Sequence, residues 1–227
     1  MLQAVLFDLD GTLVDTERES AEALRRVLAR RGVPLSQAEM DFVIGHSWLQ
    51  IAELLRQHHG AAVPPLPELI EASAAEREDV LAERGVTILP GARTVPRRLA
   101  ERSRLAIVSG SSRREARAAL AAAGLTDLFG VVLAAEDYSP GKPDPRGYLL
   151  AAERLGARPA ECLVIEDSAA GVAAGRAAGM RVVAVRCGNF AGQDQSAADV
   201  IVETLEAIDD ALLERLFGPG CQPATVR

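Results

Sequence analysis

Six short apolar runs, rich in β-branched residues, punctuate the chain at residues 4–7, 105–108, 131–135, 163–165, 182–185 and 200–202. Each is brief and apolar without alternation, the pattern of a strand buried on both faces. From the second run onward they alternate with stretches whose apolar positions recur every three or four residues, at 112–123, 144–155, 168–178 and 204–216. Strand and helix in alternation predict an α/β fold, a doubly wound parallel sheet clad on both sides.

The interval between the first two runs breaks this rhythm. Residues 15–88 carry helical spacing at 16–31, 47–59 and 67–84, with Gly32, Gly60 and Gly85 placed to end those helices, and no convincing strand. So long a crossover predicts an inserted α-helical domain, with residues 1–15 and 89–227 forming the core and 16–88 the insertion. Pro96 suits the first turn of the next helix, where a missing N–H is tolerated. Gly171, Gly175 and Gly179 recur every four residues and predict a helix packed closely on the sheet. The Gly- and Pro-rich tail from Gly218 reads as a frayed end.

Composition narrows the function. The 227 residues are 48% hydrophobic but only 4% aromatic, and the net charge is −7. That is ample for a packed core. It leaves neither a basic stripe nor a stacking platform, so no nucleic-acid partner is expected. No apolar run approaches the ~18 residues of a membrane span. The apolar start is cut off by Asp8 and Asp10, so neither a membrane partner nor a signal peptide is expected, and the expected compartment is the cytoplasm. Cys162, Cys187 and Cys221 form no CxxC pair and suggest neither a disulfide framework nor a zinc site. Nothing in the sequence points to a protein partner. Of the 25 basic residues, Lys142 alone is lysine.

In open α/β sheets reactive groups gather beyond the carboxyl ends of strands. Those ends are Asp8-Leu9-Asp10-Gly11-Thr12, Ser109-Gly110-Ser111, Gly141-Lys142-Pro143-Asp144 and Glu166-Asp167. Singly, each has a plain reading: Asp144 and Asp167 as turn or cap residues, Ser109 as a turn, Lys142 as a solvated charge. Together they predict one site holding carboxylates, a hydroxyl and the lone lysine. Crowded carboxylates repel unless a cation lies among them, and oxygen ligands suit Mg²⁺. The three histidines, His46, His58 and His59, all fall in the insertion, which argues against a His-ligated metal in the core.

These four segments, in this order, resemble the motifs of the haloacid dehalogenase superfamily of phosphotransferases, over residues 4 to about 190. The insertion is similar to the α-helical cap of the β-phosphoglucomutase-like and phosphoglycolate-phosphatase-like branch. The resemblance implies a Rossmann-like core and a Mg²⁺-dependent phosphatase of small phosphorylated metabolites, sugar phosphates foremost. It implies that Asp8 is the nucleophile, forming an aspartyl-phosphate, and that Asp10 is the general acid for the leaving alcohol and then the base for water. It further implies that Asp8, Asp167 and the backbone carbonyl of Asp10 hold Mg²⁺, with Glu166 beside them or acting through water. Thr12, Ser109, Gly110 and Lys142 would bind the phosphate, with Lys142 counted among the catalytic groups. Asp10 separates chemistries, because the dehalogenases lack a carboxylate there and the ion-pumping ATPases carry Thr.

Within the insertion, Gly45-His46-Ser47-Trp48 resembles the substrate-specificity loop of related caps. β-Phosphoglucomutase has an arginine in the place of Trp48 and a cap histidine in the place of Ser20, so the resemblance favours hydrolysis over a phosphomutase, which stands as the alternative. A non-catalytic phosphate-ester-binding protein is the alternative of another class, although binding alone has no use for Asp10. The plain readings of Trp48 and His46 are packing between cap helices and a turn. Glu17, Arg56 and Arg77 are further candidates for the cleft, and His58-His59 reads as a helix end in water.

Overall fold

The structure is a computed structural model that describes residues 1–227 apart from Gly45, Ser47, Phe190, Ala191 and 219–227. The expected fraying of the tail, and Cys221, therefore fall outside the described residues. The chain divides into two compact units, Met1–Val14 with Ile88–Arg227, and Asp15–Thr87. In chain order the first half comprises β1 (Ala4–Phe7), β2 (Val14–Asp15), α1 (Glu17–Ala29), α2 (Gln37–Val43), α3 (Trp48–His59), α4 (Leu66–Arg84), β3 (Thr87–Ile88) and α5 (Val95–Ala100). The second half comprises β4 (Arg104–Val108), α6 (Arg113–Ala123), β5 (Val131–Leu133), α7 (Arg146–Leu155), β6 (Cys162–Glu166), α8 (Ala169–Ala177), β7 (Arg181–Val185), β8 (Val200–Val202) and α9 (Asp210–Phe217).

The first unit is built on a six-stranded parallel sheet in the order β5-β4-β1-β6-β7-β8. Strand β1 is central, with Phe7 in register between Ile107 of β4 and Ile165 of β6. The chain winds outward from β1 in both directions, so the loops after β1, β4 and β6 lie side by side at a topological switch point. The strands are buried on both faces. Leu6, Val108, Val164 and Val182 pack with Tyr148, Ala151 and Leu155 of α7 and Val172 and Ala174 of α8 in one apolar cluster. Phe7 points to the other face and meets Phe129 edge to face at 5.9 Å. This is the α/β parallel sheet that the apolar runs predict and the Rossmann-like core that the resemblance implies.

Local chemistry moves several boundaries. The expected helix over 204–216 divides into a 3₁₀ turn at Leu205–Ala207 and α9, because Asp209 caps α9 by accepting the Leu212 N–H at 2.8 Å. Strand β5 stops at Leu133, beyond which the Asp137 carboxylate accepts the Ala134 N–H at 2.9 Å and closes a tight turn. The insertion is also not strand-free. Val14–Asp15 and Thr87–Ile88 form a two-stranded sheet of their own, where the chain leaves the first unit and returns to it. Strands of two residues carry no detectable period. Helix α2 is a further addition, opened by a reciprocal capping box between Ser36 and Glu39.

In the second unit, helices α1 to α4 bury Leu24, Leu28, Leu55 and Leu69 in a single cluster, against which Trp48 packs partly buried. His58 and His59 end α3 and keep solvent access, as expected of a solvated helix end, and both also contact the buried Glu39 carboxylate. Ion pairs join α1 to α4: Glu22 meets Arg84 at 3.1 Å, Arg26 meets Glu83 at 2.7 Å, and Arg30 meets Glu76. Glu22 also accepts two hydrogen bonds from Arg25, at 2.7 and 2.8 Å, and one from Arg26 at 3.1 Å. Among the described residues no helix is long and apolar enough to cross a membrane.

Leu28→Ala should destabilise the protein by about 2–5 kcal/mol, read as a lower urea midpoint, because it opens a cavity among fully buried neighbours. Hydrogen bonds from Arg25 and Arg26 hold the Glu22 carboxyl down at about 2 from its ordinary 4.5. A carboxyl lowered in the folded state contributes stability that is present above its unfolded value and is lost as pH falls through its folded value. The melting-temperature gap between the wild type and Glu22→Gln should therefore be full at pH 6 and close between about pH 4.5 and 2.

Candidate active site

The site grows from the end of β1. The Asp8 N–H donates to the Ile165 carbonyl at 2.9 Å, extending the ladder to β6 by one residue. The chain then curls back, with the Leu9 carbonyl accepting the N–H groups of Leu13 (2.9 Å) and Val14 (3.1 Å) and the Gly11 N–H donating to Val14 (2.7 Å). Gly11 sits at φ +87°, a conformation side chains resist. A Cβ there would also lie 2.3 Å from Asp167 Oδ2. The turn thus has glycine for two reasons: it must bend left-handed, and the Asp167 carboxylate rests on it.

At the end of β6, Glu166 is fully buried and saturated with donors. Its Oε2 accepts the Asp167 and Ser168 N–H groups at 3.0 Å each and the Ser168 hydroxyl at 2.9 Å. Its Oε1 accepts Lys142 Nζ at 2.6 Å and the Tyr148 hydroxyl at 2.9 Å. Gly171 of α8 makes room for this carboxylate, since a Cβ there would fall 1.6 Å from Oε1. The same Lys142 ammonium bonds Asp8 Oδ1 and lies 5.2 Å from the centre of the Tyr148 ring. Oxygen atoms of Asp8, Glu166 and Asp167 come within 4.8 Å of one another. Thr12 donates its hydroxyl to Asp167 Oδ1 at 3.3 Å, and Gln195 donates to the Asp167 carbonyl at 2.6 Å and the Val185 carbonyl at 2.9 Å.

Asp10 belongs to a different group. Its Oδ2 accepts the Ser111 hydroxyl at 2.7 Å and the Ser109 hydroxyl at 3.4 Å, at the end of β4. Ser109 is itself fixed, because its Oγ accepts the Ser111 N–H at 3.0 Å and its carbonyl accepts the buried Tyr138 hydroxyl at 3.0 Å. Gly110 is exposed with open space where a Cβ would be, so a phosphate-contacting role would rest on its N–H and not on its lack of a side chain.

The electrostatics follow from two buried acids, Asp8 and Glu166, that share one ammonium, with the half-buried Asp167 beside them. Burial pushes the Asp8 carboxyl up to about 8, against the pull of Lys142 and aided by the charges of Glu166 and Asp10. Burial, with the Asp8 and Glu166 charges, raises Asp167 well above the carboxylate range. Burial would raise Glu166 too, but the charge and hydrogen bond of Lys142 outweigh it and keep Glu166 low. Burial likewise opposes the Lys142 charge, and Asp8 and Glu166 overcome it, holding the amine protonated well above its usual range. Burial thus favours the neutral forms of Asp8 and Asp167, and positive charge beside them would favour their ionised forms. That donor set, all hard carboxylate oxygen, fits a divalent cation.

All four strand-end segments meet here. Asp8, Thr12, Lys142, Glu166 and Asp167 form one group, and Asp10 and Ser109 adjoin it through the β1 turn. In the insertion, His46 is exposed and stacks on Phe42 at 3.8 Å, and with Trp48, Glu17, Ser20, Val43 and Ile51 it lines a cavity of 160 Å³. Gly45 and Ser47 lie outside the described residues. Arg56 braces its own unit by donating to the Pro64 carbonyl at 2.8 Å. Sequence reasoning did not single out Ser111, Tyr148 or Gln195 as site residues. Tyr148 reads as core on the apolar face of its helix, and Gln195 carries no local signal.

The sequence profile of haloacid dehalogenase-like hydrolases matches residues 2–179. The protein CbbY of Rhodobacter capsulatus is 34% identical over 217 residues, covering 91% of this chain and 95% of its own. The fructose-1-phosphate phosphatase of Escherichia coli is 35% identical over 182 residues, covering 80% of this chain and 95% of its own. Among solved structures, a hydrolase of the same family from Deinococcus radiodurans, with bound phosphate and sodium, superposes with a TM-score of 0.74 at 33% identity, covering 94% of this chain and 96% of its own.

Tyr148→Phe removes one of the two donors on Glu166 Oε1 and keeps the aromatic ring. It should cost about 1.5–3 kcal/mol, the range for a hydrogen bond to a charged group, measured as the loss in urea unfolding free energy.

Proposed function

The chain belongs to the haloacid dehalogenase-like hydrolases, and within that family we propose that it is a cytoplasmic, Mg²⁺-dependent phosphatase of small phosphorylated metabolites, sugar phosphates foremost, acting through an aspartyl-phosphate on Asp8. The observation that carries this reading is the separation of two aspartates on one turn. Asp8 lies among Lys142, Glu166 and Asp167, whereas Asp10 lies on the hydroxyls of Ser109 and Ser111. That separation supports a reading in which Asp8 attacks phosphorus and Asp10 transfers the proton. The substrate named for the Escherichia coli relative supports the sugar-phosphate class.

Asp8, Glu166 and Asp167 would hold Mg²⁺, with the Asp10 carbonyl as a further oxygen ligand. The bound ion would supply the positive charge that lets Asp8 and Asp167 ionise and that offsets charge on the phosphate oxygens. An Asp8 oxygen then forms a bond to phosphorus as the bond to the substrate oxygen breaks. Asp10 delivers a proton to that leaving oxygen, which otherwise departs as a poor alkoxide. In the second half, Asp10 takes a proton from water as the water oxygen attacks the aspartyl-phosphate and frees Asp8. Lys142, Ser109, Thr12 and the Gly110 N–H bind the nonbridging oxygens, where charge shifts in the transition state. Glu166 keeps Lys142 protonated and aimed, and Tyr148 keeps Glu166 in place. Residues 16–88 serve in this reading as a cap on the core of 1–15 and 89–227, with His46 and Trp48 reading the alcohol.

Purified protein should release phosphate from sugar phosphates in Mg²⁺ and release none in EDTA. Asp8→Asn should abolish turnover, and Asp10→Ala should slow it by about 10²–10⁴-fold. Turnover by an Asp8→Asn sample shown free of deamidation would remove Asp8 as nucleophile. Isomerisation that requires a sugar bisphosphate, with little net phosphate release, would replace hydrolysis with mutase chemistry.

A further inference from the structure

Glu39, His58 and His59, all in the inserted unit, have no part in the chemistry above, yet they bring two imidazoles and a carboxylate to one point. Glu39 Oε1 lies 2.8 Å from His58 Nδ1 and 2.8 Å from His59 Nε2. Consecutive helix residues point about 100° apart and do not normally face a common partner. Here they do so for two reasons. His59 is the last residue of α3 and adopts φ −119° before the turn at Gly60–Ala62, which swings its side chain round. The two rings also use different nitrogens, the near Nδ1 of His58 and the far Nε2 of His59, and meet edge to face at an interplanar angle of 71°.

The carboxylate they share is anchored. Its other oxygen, Oε2, accepts the Ser36 N–H and the Ser36 hydroxyl at 2.7 Å each, so the capping box of α2 fixes the direction of Oε1. Glu39 is 5% exposed, while the His59 side chain is 24% and the His58 side chain 49% exposed. The cluster therefore has a rigid floor and one side open to solvent. Three such donors with an open position are a ligand set for a tetrahedral transition metal, whereas Mg²⁺ takes oxygen donors.

We propose that Glu39, His58 and His59 bind a divalent transition-metal ion of the Zn²⁺ class, which clasps the start of α2 to the end of α3. Binding uses the lone pairs of His58 Nδ1 and His59 Nε2, so each neutral ring carries its proton on its other nitrogen, and the metal takes the place of two N–H groups at Oε1. Metal–ligand bonds of about 2.0–2.2 Å set neighbouring donors about 3.3 Å apart, so the rings retreat by roughly half an ångström. The exposed His58 ring has room to do so.

The test is a titration of chelator-stripped full-length protein with Zn²⁺ in excess Mg²⁺, which competes for the carboxylate cluster of the core. Calorimetry should give one Zn²⁺ per chain, bound at least tenfold more weakly by the double variant His58→Gln, His59→Gln. The chain has only three histidines, so imidazole NMR provides its own control: Zn²⁺ should shift His58 and His59 and leave His46 in place. Zn²⁺ at a large excess over its dissociation constant should also raise the melting temperature by several degrees, an effect absent from the variant. Equal affinity in the wild type and the double variant, unshifted His58 and His59 resonances, or no binding at all would each overturn the site.

Discussion

The Lys142 ammonium lies between the carboxylates of Asp8 and Glu166, and on that shared cation depends the ability of the sheet to bury acids at its carboxyl edge. Taking a carboxylate out of water costs several kcal/mol, which Coulomb attraction offsets only when the remaining lone pairs are also satisfied. Glu166 meets that condition with five donors. Asp8 and Asp167 have fewer donors, Lys142 for Asp8 and Thr12 for Asp167, and burial raises the pKa of each. The carboxylate oxygens of Asp8, Glu166 and Asp167 thus form a cluster whose charge and donor type suit a cation.

Geometry at this precision comes from the sheet and not from the loops. Because β1 is central and in register with β4 and β6, the residues after all three strands are neighbours whatever the length of chain between them. Buried aromatic hydroxyls then fix the loop groups, Tyr138 on the Ser109 carbonyl and Tyr148 on Glu166. Both rings belong to the apolar cluster on one face of the sheet, so the packing that stabilises the fold also positions the polar groups above it.

Much of this was legible in the sequence because the signals were topological. Apolar runs mark buried strands, helices between them impose parallel pairing, and parallel pairing gathers the strand ends. Asp8, Asp10, Ser109, Lys142, Glu166 and Asp167 could be picked out on that argument alone. What escaped depends on partners distant in sequence. Ser111 matters because Asp10 is beside it, and Gln195 because two carbonyls are, and neither relation leaves a local mark. The Ser36–Glu39 capping box was present as a pattern, but the seven-residue helix behind it has too few turns for a period. The repeat of Gly171, Gly175 and Gly179 marks close packing on the sheet at its first two positions and a left-handed turn at the third. Gly171 makes room for the Glu166 carboxylate, Gly175 for Val182 and Val164, and Gly179 takes φ +72° just after α8.

The lone lysine has a consequence outside binding and turnover. Acyl donors, aldehydes and ubiquitin-transfer enzymes all react at neutral, accessible amines. In this chain the only side-chain amine is 12% exposed, held protonated by two buried acids, and roofed on one side by a tyrosine ring. Every other basic side chain is a guanidinium or an imidazole. The surface therefore offers no lysine to acetylation, glycation or ubiquitin attachment.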